Sequence, residues 1–220
     1  GAAPVPAPAP APVSAPVSAP GPASASTPSN APLPPPDRYF TERIDLLHIV
    51  RDTMTGPIRD AAALFVETIR SGGTIYFFGN GGSAADAQHL STELVERLLF
   101  DRRGFRAHAL TTNTSLLTAT ANDRGYDDAF ARQVETFARP GDLLVAISTS
   151  GKSPSVLRAL EAGRRLGVRA LGLTGKGGGG MPALCDLCLV VPSDDTQKIQ
   201  ELHIAIGHYL CMTVEAELGR

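Results

Sequence analysis

The segment VAISTSGKSPSVLRAL, residues 145–160, joins an apolar run to a helical pattern through a loop rich in hydroxyl side chains. Pro154 suits the first turn of a helix, where its missing N–H would have no partner, and Ser153 suits the N-cap. The positive end of the helix dipole and the free backbone N–H groups favour an anion here. These features predict phosphate binding, although a well-capped turn between a strand and a helix would show the same pattern. The hydroxyl donors are Ser148, Thr149, Ser150 and Ser153, around Gly151.

The letters SGKS within this loop also resemble the end of a nucleotide-binding P-loop. That motif needs a glycine five residues before Gly151, where this chain has Ala146. The loop is also too short for the nucleotide version. We therefore expect the phosphate group of a different kind of ligand.

A second glycine-rich turn, FFGNGGSAADAQHL, follows the first apolar run. It fits the G-x-G-x-x-A dinucleotide pattern, but the acid that binds the ribose should end the next strand, and Asp101 comes before that strand. We therefore favour a nest of backbone N–H groups for an anionic or polyhydroxyl ligand, with Ser83 capping the next helix. The residues of this turn are Asn80, Gly81, Gly82 and Ser83.

Two helical patterns carry side chains that bind metals or transfer protons. DAQHLSTELVER places His89 and Glu93 four residues apart, on one helical face. In QKIQELHIAIGH, Gln200 lies about 80° and Glu201 about 20° from His208 around the helix, so spacing alone slightly prefers Glu201. Neutral imidazoles together with a carboxylate suit both zinc binding and acid–base catalysis.

The same residues have plainer interpretations. A histidine and a glutamate one turn apart commonly form a surface pair, and a histidine in an apolar helix such as IAIGHYL is commonly a hydrogen-bonded core residue. His203 lies about 140° from His208, so we do not expect both to serve one site.

The elements that would position these residues follow from the alternation of short apolar runs with helical patterns. Such alternation favours an α/β fold, a three-layer sandwich with helices on both faces of a five-stranded parallel sheet. Both glycine-rich turns then lie at the carboxyl ends of strands, where such sheets bind ligands. The predicted strands are 73–78, 105–110, 142–147, 168–173 and 187–191, and the predicted helices are 39–53, 57–71, 83–99, 127–138, 155–166 and one that begins near Asp194.

Composition divides the chain at residue 36. Residues 1–36 hold 13 of the 18 prolines and no charged residue, which predicts an extended tail without a core rather than a secretory signal. Residues 37–220 have the length of one domain. The net charge of −2 gives no nucleic-acid footprint, and no apolar run reaches the length of a membrane span, so we expect a cytoplasmic protein.

The three cysteines, including Cys185 and Cys188 of CDLC, are expected to be buried thiols rather than a zinc or redox site.

Five segments together resemble the sugar isomerase (SIS) domain, and within it the bacterial phosphoheptose isomerases: GNGGSAADAQHLSTEL, ANDRGYDDAF, ISTSGKS, LTGKGGG and KIQELHIAIGH. The resemblance runs from about Asp37 to the end of the sequence. It implies an isomerase that converts sedoheptulose 7-phosphate, a phosphorylated seven-carbon sugar, to D-glycero-D-manno-heptose 7-phosphate for activated-heptose biosynthesis. It also implies a homotetramer with active sites at subunit interfaces, and zinc as the cofactor, one ion per subunit.

The resemblance assigns roles residue by residue. It implies Glu93 as the base and His208 as the partner acid and base of an enediol mechanism. It implies that Asp123 binds sugar hydroxyls, and it selects Gln200 over Glu201, against the spacing. The further residues implied to contact the substrate are Asn80, Gly81, Gly82, Ser83, Ser148, Thr149, Ser150, Ser153 and Gln200, and the implied zinc ligands are His89, Glu93, Gln200 and His208.

Two other functions stay open on the sequence alone. Some SIS proteins are not enzymes: one group binds a replication initiator on DNA, and others sense sugar phosphates. The adaptors typically lack the glutamate and the final histidine, so the presence of Glu93 and His208 favours catalysis. The remaining alternative is an isomerase for another sugar phosphate.

Overall fold

The computed structural model describes residues 33–219, so nearly all of the predicted tail lies outside the described residues. Five parallel strands form one sheet in the order β2-β1-β3-β4-β5. The strands are β1 Ile75–Gly79, β2 Ala107–Ala109, β3 Leu143–Ser148, β4 Arg169–Thr174 and β5 Leu187–Val190. The helices are α1 Pro36–Arg70, α2 Gly82–Val95, α3 Thr114–Arg124, α4 Ala131–Phe137, α5 Pro154–Arg165 and α6 Thr196–Leu218.

The central strand β3 accounts for the layers around the sheet. All six of its residues are buried. Val145 and Ile147 pack into a core with α1, α2 and α6, while Leu144 and Ala146 pack into a second core with α4 and α5. Alternate side chains of a strand point to opposite faces, so a strand that is apolar on both faces needs helices on both. The predicted three-layer α/β sandwich is confirmed.

The region before β1 is one continuous helix, where the sequence predicted two, 39–53 and 57–71. Helix α1 continues through Gly56 and Pro57, which are both exposed. Buried residues on either side of them, such as Met54 and Ala61, continue one stripe, and α1 packs against α6. A proline in a helix interior costs about 3 kcal/mol, and the packing of this unbroken stripe outweighs that cost.

Three other helices differ from the prediction. Helix α2 ends at Val95 rather than near residue 99, because the N–H groups of Leu98 and Leu99 donate to the Glu215 carboxylate of α6 at 3.1 and 2.7 Å. The predicted helix 127–138 is a 3₁₀ turn, Tyr126–Asp128, followed by α4. Helix α3 was not predicted, since its sequence TSLLTATANDR is rich in residues with modest helix propensity.

The cysteines only partly match the expectation of buried thiols. Cys211 is buried, and burial raises its pKa to about 12. Cys185 and Cys188 are half-buried, near the edge strand β5, and all three cysteines are free thiols. Within residues 33–219, no helix combines the length and the apolar content that crossing a bilayer requires.

Candidate active site

The hydroxyl loop joins β3 to α5 at the carboxyl edge of the sheet. The Ser148 hydroxyl oxygen accepts the N–H of Gly151 at 3.2 Å, and the Ser150 oxygen accepts the N–H of Lys152 at 3.3 Å. Gly151 has a φ of 62°, and a Cβ there would overlap the carbonyl oxygen of Gly178, so only glycine fits. The Thr149 carbonyl accepts the N–H of Gly175 at 3.1 Å. The glycine-rich segment after β4 therefore packs against the hydroxyl loop and supports its backbone.

Ser153 occupies the predicted N-cap position, but its side chain does not cap α5. Its hydroxyl oxygen instead accepts a hydrogen bond from Asn80 Nδ2 at 2.8 Å. The prediction of a serine cap is wrong in this respect, because the Ser153 side chain is turned to the neighbouring glycine turn instead of the helix N-terminus. The hydroxyl loop and the first glycine turn are thus one connected structure.

The first glycine turn approaches β3 closely. A Cβ on Gly79 would lie 2.5 Å from the Ile147 carbonyl oxygen, so the absence of a side chain lets the two strand ends lie together. The N-cap residue of α2 is Gly81, with a φ of 56°, and not Ser83 as predicted. Ser83 lies inside the first turn of α2 and is buried, with its N–H donating to the Asn80 carbonyl at 3.0 Å. The prediction of a Ser83 cap is wrong, since the N-cap lies two residues earlier.

Three predicted site residues from α2 and α6 come together. His89 Nε2 lies 2.8 Å from His208 Nε2 and 3.2 Å from Glu93 Oε1. All three donor atoms lie within 4.8 Å of one another. Glu93 is mostly shielded, with 17 % of its side chain exposed, whereas the His89 side chain is 48 % exposed. The cluster therefore combines a sheltered carboxylate with an accessible edge.

A close helix crossing brings these side chains into contact. Gly207 precedes His208, and a Cβ at Gly207 would lie 2.5 Å from Leu90 Cδ1. Leu90 in turn follows His89, so this close contact between α2 and α6 is formed by the sequence neighbours of both imidazoles. The two rings meet edge to face, with their centroids 5.0 Å apart.

Gln200 lies on α6 but away from the three-residue cluster. Eight residues separate it from His208, about 12 Å along a helix axis. Its amide packs on Gly82, where a Cβ would overlap Gln200 Nε2. Glu201, which spacing preferred, faces α1 and pairs with Arg43 at 2.8 Å. Of the two, only Gln200 faces the first glycine turn.

Asp123 lies near the end of α3, exposed, and its carboxylate accepts the Asn122 side-chain amide at 2.8 Å. Beyond it, the structure brings in Tyr126, whose hydroxyl donates to Asn80 Oδ1 at 2.7 Å. Tyr126 could not be predicted as a site residue, because nothing in its local pattern links it to Asn80, 46 residues earlier.

Asp86 is a second residue that sequence reasoning missed. It lies on α2 between Gly82 and His89, and its Oδ2 atom is buried without a hydrogen-bond partner among the described residues. Burial raises the pKa of this carboxyl above its usual range, against a smaller opposite effect of His89. Residues 82, 86, 89 and 93 follow helical spacing, so this signal was available in the sequence.

His203 lies apart from the cluster, as its angle predicts. It is 1 % exposed, and neither ring nitrogen has a hydrogen-bond partner among the described residues. Burial lowers its pKa to about 4. It is a neutral core histidine.

The donor atoms of the cluster fit a metal ion. Two imidazole nitrogens and one carboxylate oxygen are typical zinc ligands, each about 2 Å from the ion, and three such atoms can surround one ion when they lie as close together as these. These three ligands leave a fourth position for one more donor, which can be a side chain, water or substrate.

Comparison with known proteins places this chain among phosphosugar enzymes. Residues 38–175 match the SIS domain family. The phosphoheptose isomerase of Rhodospirillum rubrum is 56 % identical over 161 residues, 73 % of this chain and 86 % of that protein. That of Akkermansia muciniphila is 51 % identical over 166 residues, 76 % of this chain and 88 % of that protein.

Solved structures give the same result. The phosphoheptose isomerase from Neisseria gonorrhoeae superposes with a TM-score of 0.77 at 38 % identity, over 82 % of this chain and 96 % of that one. The enzyme from Francisella tularensis superposes with a TM-score of 0.79 at 33 % identity, over the same shares of the two chains.

Proposed function

The chain belongs to the phosphoheptose isomerases of the SIS-domain family, isomerases of sedoheptulose 7-phosphate, and we propose that Glu93 and His208 carry out its proton transfers. Ketose-to-aldose conversion removes a proton from C1, forms an enediol and returns a proton to C2. Glu93 takes and returns the carbon-bound proton, while His208 exchanges protons with the two oxygens. The observation that carries this proposal is the contact of His89 with both Glu93 and His208, at 3.2 and 2.8 Å.

The substrate phosphate binds at the hydroxyl loop in this proposal. The loop backbone is held by glycines and internal hydrogen bonds, and the α5 N-terminus adds a favourable dipole. A group held far from the reacting carbons orients the sugar and contributes to transition-state stabilisation. The proposed contacts are Ser148, Thr149, Ser150 and Ser153 for the phosphate, and Asn80, Gly81, Gly82, Ser83, Asp123 and Gln200 for the rest of the sugar.

We propose one zinc ion per subunit, held by His89, Glu93 and His208. When bound, the ion would polarise the substrate oxygens as a Lewis acid. Gln200 is the proposed fourth ligand, and its amide would have to leave Gly82 to reach the cluster. The cluster residues also orient one another without a metal, since His89 contacts both of the others.

A homotetramer with active sites at subunit interfaces is the proposed assembly. Phe40, Ile44 and Leu47 recur at helical spacing on α1 and are 61 %, 52 % and 48 % exposed. An exposed apolar stripe of this kind is typical of a protein–protein interface. In such an assembly, the hydroxyl loop and the cluster that act on one substrate molecule can come from two different chains.

We further propose that residues 37–220 form the catalytic domain of a cytoplasmic protein. The net charge of −2 supports the proposal that it has no nucleic-acid partner.

The direct test is an assay with sedoheptulose 7-phosphate. Glu93→Gln and His208→Ala should each lower kcat by about 10²- to 10⁴-fold, the usual contribution of a positioned acid or base. Glu96→Gln is the matched control, because Glu96 is exposed one turn further along and should leave kcat unchanged. Full activity in Glu93→Gln or His208→Ala would refute the assigned roles.

Elemental analysis tests the metal separately. The purified protein should carry one zinc per subunit, and His89→Ala should lose it. Undiminished turnover of a metal-free preparation would remove the metal from the mechanism and leave the acid–base roles intact.

A further inference from the structure

A chain of side-chain hydrogen bonds links three separate segments at the hydroxyl loop. The Tyr126 hydroxyl donates to Asn80 Oδ1 at 2.7 Å. Asn80 Nδ2 then donates to the hydroxyl oxygens of Ser153, at 2.8 Å, and Ser155, at 3.0 Å. Ser155 Oγ lies 3.2 Å from Ser153 Oγ, so the two serines form one pair.

The direction of these hydrogen bonds matters for an anion. The amide oxygen of Asn80 only accepts, and its NH₂ group only donates. With the oxygen held by Tyr126, the NH₂ group faces the serines, which therefore act as acceptors toward Asn80. Each serine keeps its own hydrogen. When the buried Ser155 donates to Ser153, the O–H of Ser153 stays available to a phosphate. A phosphate dianion accepts hydrogen bonds, so it needs such a free donor.

We propose that Tyr126 is a positioning residue that fixes the orientation of the Asn80 amide and so keeps a serine O–H of the hydroxyl loop directed at the substrate phosphate. Without the phenol, the amide can turn over and present Oδ1 to the serines. The serine hydroxyls would then donate to Asn80 Oδ1 instead of to the phosphate. This inference rests on the proposed function of the loop as the phosphate site.

Tyr126 is well held for this role. The 3₁₀ turn that begins with it is tied to α5 by an ion pair of Asp128 with Arg158 at 2.8 Å. Its ring packs edge to face on the buried Phe130, with centroids 6.4 Å apart. Because the ring packing does not involve the hydroxyl, Tyr126→Phe removes the hydrogen bond and keeps the packing.

The experiment measures substrate kinetics and phosphate binding for Tyr126→Phe. The loss of one hydrogen bond should raise the KM for sedoheptulose 7-phosphate by about three- to ten-fold, with kcat nearly unchanged. The dissociation constant for inorganic phosphate, measured by calorimetry, should rise by the same factor. Tyr76→Phe is the control, since its hydroxyl donates to the Phe137 carbonyl, at 3.4 Å, and not to Asn80 or the hydroxyl loop, so both constants should stay at the wild-type value.

A double variant separates positioning from a general structural effect. Tyr126 acts through Asn80, so adding Tyr126→Phe to Asn80→Ala should change neither constant further. Unchanged phosphate affinity in Tyr126→Phe, a loss in kcat instead of KM, or full additivity with Asn80→Ala would overturn the inference. Calorimetry also tests the inference separately from the proposed enzymatic function. If the wild-type protein binds phosphate but does not turn over sedoheptulose 7-phosphate, weaker phosphate binding in Tyr126→Phe still supports the inference.

Discussion

The role of a single residue in this protein depends on the groups that contact it as well as on its type. His203 and His208 lie on the same helix, yet His203 is buried in the core with no hydrogen-bond partner in the part of the chain that the structure describes, whereas His208 contacts His89 at an accessible edge. Serine shows the same contrast, because Ser153 looks like a helix cap and instead accepts from Asn80. Residue type therefore limits the chemistry available, and the neighbours select from it.

The buried His203 predicts a pH dependence of stability. Burial lowers its pKa to about 4 in the folded protein, against about 6.5 when unfolded, so the unfolded chain binds more protons between these values. This contribution to stability is complete above about pH 6.5 and is lost as the pH falls toward 4. We expect a loss of about 2 kcal/mol in the free energy of unfolding between pH 7 and pH 5.

Urea denaturation at both pH values measures this loss, and His203→Leu is the comparison. Carboxylates that titrate in the same range affect both proteins, so the difference between them isolates the histidine. Equal pH dependence in the wild type and in His203→Leu would show that the histidine is protonated as easily folded as unfolded.

At the scale of elements, a buried ion pair sets the end of α2. Arg102 and Glu215 are 2 % and 0 % exposed and lie 3.1 Å apart. The Arg102 guanidinium also donates to the carbonyls of Leu94 and Glu93, both at 2.9 Å, so it holds the backbone of the proposed base.

We predict that Arg102→Met destabilises the fold by about 3–5 kcal/mol, because it leaves the Glu215 carboxylate buried without its charge partner. The matched control is Arg70→Met, which breaks the exposed pair of Arg70 with Glu217 and should cost at most about 1 kcal/mol. Thermal and urea unfolding measure both. Similar small losses in the two variants would mean that water reaches Glu215.

Elements with strong local signals could be predicted from the sequence, and those set by distant contacts could not. The apolar runs placed all five strands. The signal was clearest for β3, which is buried on both faces and leaves a continuous apolar stretch. The unbroken α1 was missed because Pro57 is a strong local breaker, and only packing against α6 overrides it. The early end of α2 depends on Glu215, more than a hundred residues away, which no local pattern reveals.

The same division applies to the site. His89 and Glu93 were found from their spacing on one helix, and their pairing with His208 needed the resemblance to a known family or the structure itself. Tyr126 and Ser155 lie in segments whose sequences carry no sign of their contact with Asn80.

The whole molecule divides its proposed machinery between two regions, the hydroxyl loop and the cluster on α2 and α6. If active sites are shared between subunits, two different inactive variants can complement each other. We predict that Ser150→Asp, which repels the phosphate, regains a substantial part of the wild-type activity when co-refolded with Glu93→Gln. In the mixed oligomer, some interfaces then join the intact loop of a Glu93→Gln subunit to the intact cluster of a Ser150→Asp subunit.

Glu93→Gln mixed with His208→Ala is the control for complementation. These residues meet within one chain, so every cluster in that mixture is broken and activity should stay absent. If the first mixture is also inactive while the oligomers have exchanged subunits, each active site belongs to a single chain.

The contact between His89 and His208 spans 119 residues of sequence. His89 lies on α2 and His208 lies on α6, the last helix of the described residues, so the cluster cannot form before α6 has docked on α2. Turnover in the proposed mechanism therefore requires that last helix to be in place. Activity is then a sensitive measure of whether the C-terminal part of the chain has folded.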